Sequence, residues 1–162
     1  MKNLIELYKK ESNDAFTSID TASIADFTTL IIKAYTNENK VFACGNGGNV
    51  ASVQNLVLDL NMHPFVSEDK SARKGGRNKF QAISLCDSGA AITGITNDLG
   101  FDKIFSEQLK YQASKGDILF AMSGSGNSGN VIEALKVAKE FGMICVVMTR
   151  GKNTKSLVIP VI

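Results

Sequence analysis

The stretch DILFAMSGSGNSGNVIEALKVAKEF, residues 117–141, joins a short apolar run, a glycine- and serine-rich loop, and an amphipathic helix. The run over 117–122 has the length and composition of a buried strand. In the helix, apolar residues recur at helical spacing, at Val131, Ile132, Leu135, Ala138 and Phe141. Gly142 follows as a stop signal. A strand that leads through a tight loop into a helix is the repeating unit of α/β proteins with a parallel sheet.

The segment VFACGNGGNVASVQNLVLDL, residues 41–60, repeats this pattern. We call Cys44–Asn49 the first glycine loop and Ser123–Ser128 the second glycine loop. Glycines bring backbone N–H groups close to a ligand, and the following helix N-terminus carries a partial positive charge. The serine hydroxyls of the second loop add further donors. Either loop alone is compatible with a structural turn, but two in one small domain predict a phosphate site at the carboxyl ends of the strands.

Outside these two strand–loop–helix segments, short apolar runs continue to alternate with segments of helical spacing. Strands are predicted at VFACG, FQAISLC, DILFAM, ICVVMT and LVIPVI, and Pro160 in the last run indicates an edge position. Further helices are predicted for SGAAITGITN and FDKIFSEQLKYQAS. Two more helices are predicted before the first strand, and N-cap residues between Asp20 and Ser23 mark the break between them. The sequence therefore predicts an α/β, three-layer protein: a five-stranded parallel sheet flanked by helices, preceded by an N-terminal helical hairpin.

We expect one domain over residues 1–162. Its N-terminal helices (1–36) carry more apolar surface than is needed to cover one sheet, which predicts a homo-oligomer assembled through them. The α/β core occupies 40–162. The segment 61–79 is polar and aperiodic, which is typical of an exposed loop. Its basic residues are interpreted as solvated, the alternatives being closure over an anionic substrate or contact with DNA; they are Lys70, Arg73, Lys74, Arg77 and Lys79.

Composition narrows the function classes. The net charge is +2, from 18 basic and 16 acidic residues, which argues against nucleic acid or an anionic membrane as the main partner. No apolar run reaches the roughly 18 residues of a membrane span, and the N-terminus lacks the pattern of a signal peptide. The three cysteines are Cys44, Cys86 and Cys145, and their odd number predicts buried, reduced thiols. We expect a cytoplasmic protein.

Together with the segments over 91–109 and 116–143, the stretch 41–60 resembles the sugar isomerase (SIS) domain. Within that family it is most similar to the phosphoheptose isomerases, which act on sedoheptulose 7-phosphate, and also to their non-enzymatic relative, the DnaA initiator-associating protein. The resemblance implies a homotetramer and a phosphorylated sugar as ligand. It implies that Ser123, Gly124, Ser125 and Ser128 hold the phosphate, and that the sugar pocket is lined by Asn46, Gly47, Gly48, Asn97 and Asp98.

The sequence departs from this family at two positions. In phosphoheptose isomerases the helix after the first glycine loop carries a His and, four residues later, a Glu. Both bind zinc, and the Glu is the proposed base that moves a proton between C1 and C2. The matching residues here are Asn55 and Asp59; asparagine is a poor zinc ligand, and aspartate is one methylene shorter than glutamate. The family's site also includes a Gln and a His from a C-terminal helix. The given sequence ends at Ile162, within the last predicted strand and before that helix.

We therefore expect no metal cofactor. Asp59 is kept as the candidate base, with Asp98 as the second candidate catalytic residue. The sole histidine, His63, is interpreted as a surface or capping residue. Asp98 and Asp102 are alternatively interpreted as caps of the next helix. Glu107 is expected to pair with a lysine at helical spacing, at Lys103 or Lys110.

Three function classes stay open. Asp59 and the intact second glycine loop favour two of them, an isomerase of a phosphorylated sugar and a sensor that binds the sugar phosphate without converting it. Asn55 favours the sensor over the isomerase. An adaptor of the initiator-associating type has no residue that points to it positively.

Overall fold

The computed structural model describes residues 1–75 and 80–150. Contacts divide the chain into two compact units, Met1–Ile31 and Ile32–Ile162. Helix α1 covers Lys2–Thr17, and α2 covers Thr21–Thr36 and so runs from the first unit into the second. Asp20 caps α2, because its carboxylate accepts hydrogen bonds from the backbone N–H groups of Ala22 (3.0 Å) and Ser23 (3.3 Å). The predicted break between the two helices is confirmed.

In the second unit, the described strands form a parallel sheet. Its strands are β1 (Lys40–Gly45), β2 (Gln81–Ser84), β3 (Ile118–Met122) and β4 (Ile144–Met148), in the order β2-β1-β3-β4. The described sheet thus has four strands and not the five predicted, and the run LVIPVI lies outside the described residues. β1 and β3 are neighbours in register, with Gly45 opposite Met122. The two strands that lead into the glycine loops therefore end side by side.

Helices flank the sheet on both faces. They are α3 (Gly48–Met62), α4 (Gly89–Leu99), α5 (Ser106–Gln112) and α6 (Gly129–Glu140). The helix predicted over 101–114 is shorter than expected: Phe101–Lys103 forms a 3-10 turn, and the α-helix starts at Ser106. Gly100, with φ of +92°, ends α4 and forces this turn. Among the described helices, none combines the length and apolar character that crossing a membrane requires.

The largest part of the core lies between the sheet and the pair α5 and α6. Phe42, Leu119 and Cys145 from three neighbouring strands pack with Leu109 of α5 and Leu135 of α6. α3 contacts β1 and β2, and it contributes the buried Val53 and Val57. All three cysteines are free. Cys44 and Cys145 are buried and Cys86 is half-buried, and burial raises the pKa of each thiol. The expectation of free thiols is confirmed.

A buried carboxylate organises the amino end of the sheet. Asp117 is 2% exposed and precedes β3. Its two oxygens accept hydrogen bonds from the backbone N–H groups of Lys40 and Ser114, both at 2.8 Å. Its own carbonyl accepts the N–H of Ile144 at 2.8 Å. One residue thereby ties together the starts of β1, β3 and β4.

The outer edge of β2 is bonded by a side chain. Asn61 near the end of α3 donates to the carbonyl of Ala82 (2.8 Å) and accepts from the N–H of the same residue (2.9 Å). The polar segment that follows α3 forms a 3-10 turn over His63–Phe65 and an antiparallel bridge between Val66 and Arg73. Of the basic cluster, Lys70, Arg73 and Lys74 are exposed, while Arg77 and Lys79 lie outside the described residues.

Candidate functional site

The two glycine loops start next to each other at the carboxyl end of the sheet. Gly45 ends β1 opposite Met122, so Asn46 and Ser123 begin their loops from adjacent strands. The junction is tight, since a Cβ at Gly45 would lie 2.8 Å from the Cβ of Asn49 and 3.3 Å from the carbonyl oxygen of Met122. Only glycine fits there. α3 and α6 begin three and seven residues beyond these strand ends, at Gly48 and Gly129, so two helix N-termini follow the loops.

Two serines of the second glycine loop meet each other. The hydroxyls of Ser123 and Ser128 are 3.1 Å apart, and Ser123 is buried at 2% exposure. Ser125 is exposed, and its hydroxyl accepts the N–H of Asn127 at 3.1 Å. The N–H of Gly126 donates to the carbonyl of Ser123 at 3.0 Å, with φ of +65° at the glycine. The loop is therefore folded around its own serines, with Ser125 at the surface and Ser123 at the base.

The first glycine loop is held by a backbone turn and by one side chain. Gly47 has φ of +56°, and the N–H of Asn49 donates to the carbonyl of Asn46 at 3.1 Å. Gly47 and Gly48 are exposed and Asn46 is half-buried. The side-chain amide of Asn46 forms two hydrogen bonds with the amide of Asn130, each 2.8 Å long. Because Asn130 belongs to the first turn of α6, this pair joins the two loops.

The Asn97–Asp98 pair lies in the last turn of α4. Both residues are exposed, and the amide of Asn97 donates to the carboxylate of Asp98 at 2.8 Å. The alternative of a capping role is wrong for Asp98 and Asp102, because neither the turn at Phe101 nor α5 receives a side-chain cap. Asp102 instead packs against the start of α6, where a Cβ on Gly129 would lie 2.5 Å from its Oδ1.

Asn55, Asp59 and His63 form a column along α3 and the turn after it. The Asn55 amide donates to one carboxylate oxygen of Asp59 at 3.3 Å, and Nδ1 of His63 lies 3.3 Å from the other. A zinc site needs three or four donors with free lone pairs. Asn55 presents an N–H, and no three His, Cys, Asp or Glu side chains converge within 1–75 and 80–150. This column does not fit zinc.

Sequence reasoning missed three contacts around the loops. His63 meets Asp59, which the four-residue spacing could have indicated. Asn130, 1% exposed, lies in the first turn of α6, where a buried polar residue signals a specific partner. Lys103 bonds Glu133 of α6 at 2.7 Å, whereas Glu107 takes Lys110, the second of its two predicted partners. Lys103 and Lys136 lower the pKa of Glu133 to about 2.

Comparison with known proteins finds relatives whose sequences match most of the chain. A family model described as "SIS domain" matches residues 7–150. A phosphoheptose isomerase of Campylobacter concisus is 35% identical over 143 residues, covering 88% of this chain and 70% of the relative. Those of Chlorobaculum parvum and Aliarcobacter butzleri are 34% and 40% identical, over 90% and 70% of this chain. The chain spans 66% and 55% of these two relatives.

Solved structures agree with the fold. The phosphoheptose isomerase from Neisseria gonorrhoeae superposes with a TM-score of 0.81 at 29% identity, covering 99% of this chain and 80% of that one. The phosphoheptose isomerase from Francisella tularensis gives a TM-score of 0.83 at 24% identity, covering 96% and 78%. The second supports the architecture alone.

Proposed function

Because the chain belongs to the SIS domain family and is similar to phosphoheptose isomerases, we propose that it binds a phosphorylated sugar between the two glycine loops and isomerises it. The ligand proposed is sedoheptulose 7-phosphate or a related sugar phosphate, and the reaction is an aldose–ketose isomerisation. The observation that carries the proposal is the adjacency of the loops, with Gly45 opposite Met122 and a helix starting after each loop.

The second glycine loop is proposed to hold the phosphate. The Ser123 and Ser128 hydroxyls bond each other, and one hydrogen bond uses only one of their two O–H donors. The other O–H and the exposed Ser125 hydroxyl are donors for phosphate oxygens, assisted by the backbone of Gly124 and the N-terminus of α6. On the sugar side we propose Asn46, Gly47 and Gly48 together with Asn97 and Asp98.

The proposed chemistry is a proton transfer through an enediol. A base removes the proton from C1 of the ketose, the C1–H electron pair forms the C1=C2 bond, and the C2 carbonyl oxygen takes up a proton. A proton then adds to C2 while O1 loses its proton and C1 becomes the carbonyl, so no oxidant is needed. We propose Asp59 as the base, because its carboxylate is held between Asn55 and His63 on one face of α3. Asp98 is the second candidate.

We propose that this chemistry runs without bound zinc. The donor set around Asp59 supports this, since the Asn55 amide turns an N–H toward the carboxylate. Elemental analysis of the purified protein is expected to find well below one zinc per chain. About one zinc per chain, lost on Asp59→Ala, would contradict the proposal.

We also propose that the protein is a homo-oligomer, a tetramer by family resemblance, assembled through its N-terminal helices. α1 has no buried residue, and Leu4, Leu7, Tyr8 and Phe16 are each more than half exposed. An apolar surface of this kind is typical of an interface. Analytical ultracentrifugation at micromolar concentration is expected to show no monomer, and a purely monomeric boundary would overturn the proposal.

Calorimetry tests the ligand. Sedoheptulose 7-phosphate is expected to bind, and unphosphorylated sedoheptulose to bind far more weakly. Ser125→Ala removes one charge-assisted hydrogen bond and is expected to weaken binding of the phosphate about tenfold. Ser114→Ala, at an exposed position before β3 at the opposite end of the sheet, is the matched control and should leave affinity unchanged. Equal affinity for both sugars, or an unaffected Ser125→Ala, would remove the phosphate assignment.

Turnover tests the reaction. Asp59→Asn is expected to lower kcat by a factor of 100 or more with little change in affinity, as removal of a general base does. Glu140→Gln, at the far end of α6, makes the same change of a carboxylate to an amide and should have no effect. Binding without any turnover by the wild-type protein would select a sugar-phosphate sensor instead.

A further inference from the structure

A buried amide and a half-buried amide bond each other and join the glycine loops. The Nδ2 of Asn46 donates to Oδ1 of Asn130, and the Nδ2 of Asn130 donates to Oδ1 of Asn46, both at 2.8 Å. The two residues are 84 positions apart in the chain. The Oδ1 of Asn130 also accepts the N–H of Val131 at 2.9 Å. The orientation of the Asn130 amide is therefore fixed from two sides.

A reciprocal amide pair sets which way each amide faces. Each side chain has one acceptor oxygen and one donor NH₂, so rotating either amide by 180° would oppose two oxygens and two NH₂ groups. Asn130 is 1% exposed, whereas Asn46 is half-buried at the start of the first glycine loop. After pairing, Asn46 still has one N–H and one oxygen lone pair by count. These are the groups that a bound sugar can use.

We propose that Asn130 is a positioning residue that holds the Asn46 amide in the orientation required to bind the sugar. The inference rests on the proposed function, because it assigns Asn46 to the sugar side of the site. Ser128, which precedes α6, bonds Ser123, and Asn130 lies two residues further on. The same helix turn thus supports the phosphate contact through Ser128 and the sugar contact through Asn130.

The variant Asn130→Asp tests this with almost no change in shape. At neutral pH the new carboxylate places an acceptor oxygen opposite Oδ1 of Asn46, so one hydrogen bond becomes a repulsion. We expect the affinity for sedoheptulose 7-phosphate to fall about tenfold relative to wild type. When the new carboxyl is protonated it can donate again, so the deficit should shrink to within about threefold as pH falls toward 5. The affinity is compared with that of wild type at each pH, which removes the effects that the two proteins share.

A second ligand separates positioning from general structural support. Inorganic phosphate alone has no sugar for Asn46 to contact, so in Asn130→Asp its affinity should fall at least threefold less than that of the sugar phosphate. The loss that remains measures the repulsion between the new carboxylate and the anion at the start of α6. Equal losses for inorganic phosphate and the sugar phosphate would show that Asn130 only supports α6, and would overturn the proposal. The control Asn37→Asp, in an exposed turn before β1, should bind both ligands like wild type at every pH.

Wild-type NMR covers the case in which Asn130→Asp fails to fold. Side-chain NH₂ protons of Asn46 and Asn130 should exchange with solvent at least tenfold more slowly than those of Asn37, without any ligand. Exchange as fast as that of Asn37 would overturn the pairing itself. If the wild type binds no sugar phosphate, the proposed function fails. If it binds and the Asn130→Asp ratio is flat at one across pH, only the present inference fails.

Discussion

The two ends of the sheet use polar side chains in opposite ways. At the amino end, both oxygens of Asp117 accept backbone N–H groups, and the residue is almost wholly buried. At the carboxyl end, side chains bond each other: hydroxyl to hydroxyl at Ser123 and Ser128, amide to amide at Asn46 and Asn130. Burial against the backbone keeps a ligand away from the lone pairs that Asp117 has left. Mutual bonding leaves each pair with donors and lone pairs to spare, which is what a ligand needs.

The largest expected effect is on the amino end. Asp117→Ala removes two hydrogen bonds to a charged group and leaves two backbone donors without their acceptor, so the free energy of unfolding should fall by about 3–4 kcal/mol. Urea unfolding measures this loss. The control Asp98→Ala, exposed at the other end, should change stability by less than about 0.5 kcal/mol. Similar losses in the two variants would erase the distinction between the ends.

Gly129, at the carboxyl end of the sheet, tests whether the packing there tolerates an added methyl group. Gly129→Ala places a methyl group against the Asp102 carboxylate, and we expect a loss of about 1–2 kcal/mol of stability. The double variant Asp102→Ala/Gly129→Ala should recover most of it, because the obstructing carboxylate is gone. A double-mutant cycle by urea unfolding measures the coupling. Additive losses would refute the contact.

Ser123→Ala should lower the affinity for the ligand much more than it lowers the stability of the fold. It deletes one hydroxyl–hydroxyl bond, so we expect unfolding to become easier by only about 1 kcal/mol. The affinity for sedoheptulose 7-phosphate should nonetheless fall about tenfold in calorimetry. A stability loss as large as that of Asp117→Ala, with affinity retained, would mean that this serine belongs to the scaffold.

The smallest effect belongs to the ion triad on the exposed face of α6. Lys103 and Lys136 lower the pKa of Glu133 to about 2, below its ordinary 4.5. A lowered pKa stabilises the fold above pH 4.5, and that contribution is lost as pH falls from 4.5 toward 2. Because the triad is solvated, we expect less than about 1 kcal/mol. The stability difference between wild type and Glu133→Gln should therefore be small at pH 6 and vanish near pH 2; a difference that grows with acid would contradict this.

The fold and the loops were accessible from sequence because they depend on local signals. The spacing of apolar residues and the glycines predict β1, α3, β3 and α6. Because parallel strands all end on the same side of a sheet, both glycine loops are then expected at its carboxyl end. The length of α5 was overestimated, since Gly100, with φ of +92°, ends α4 and a 3-10 turn over Phe101–Lys103 precedes α5. Asn130 could not be paired with Asn46 in advance, because a contact between residues 84 positions apart depends on strand order and register.

Asn61 has a consequence for how the protein behaves among its own copies. The edge of a sheet invites a strand from another chain, and such additions start aggregates. At Ala82 both backbone groups that an incoming strand would use are already bonded to the Asn61 amide. A foreign strand would have to displace a side chain anchored in a helix before it could pair at Ala82. A single asparagine therefore protects this position of the β2 edge from unfolded neighbours, and it does so without a charge or a proline on the strand.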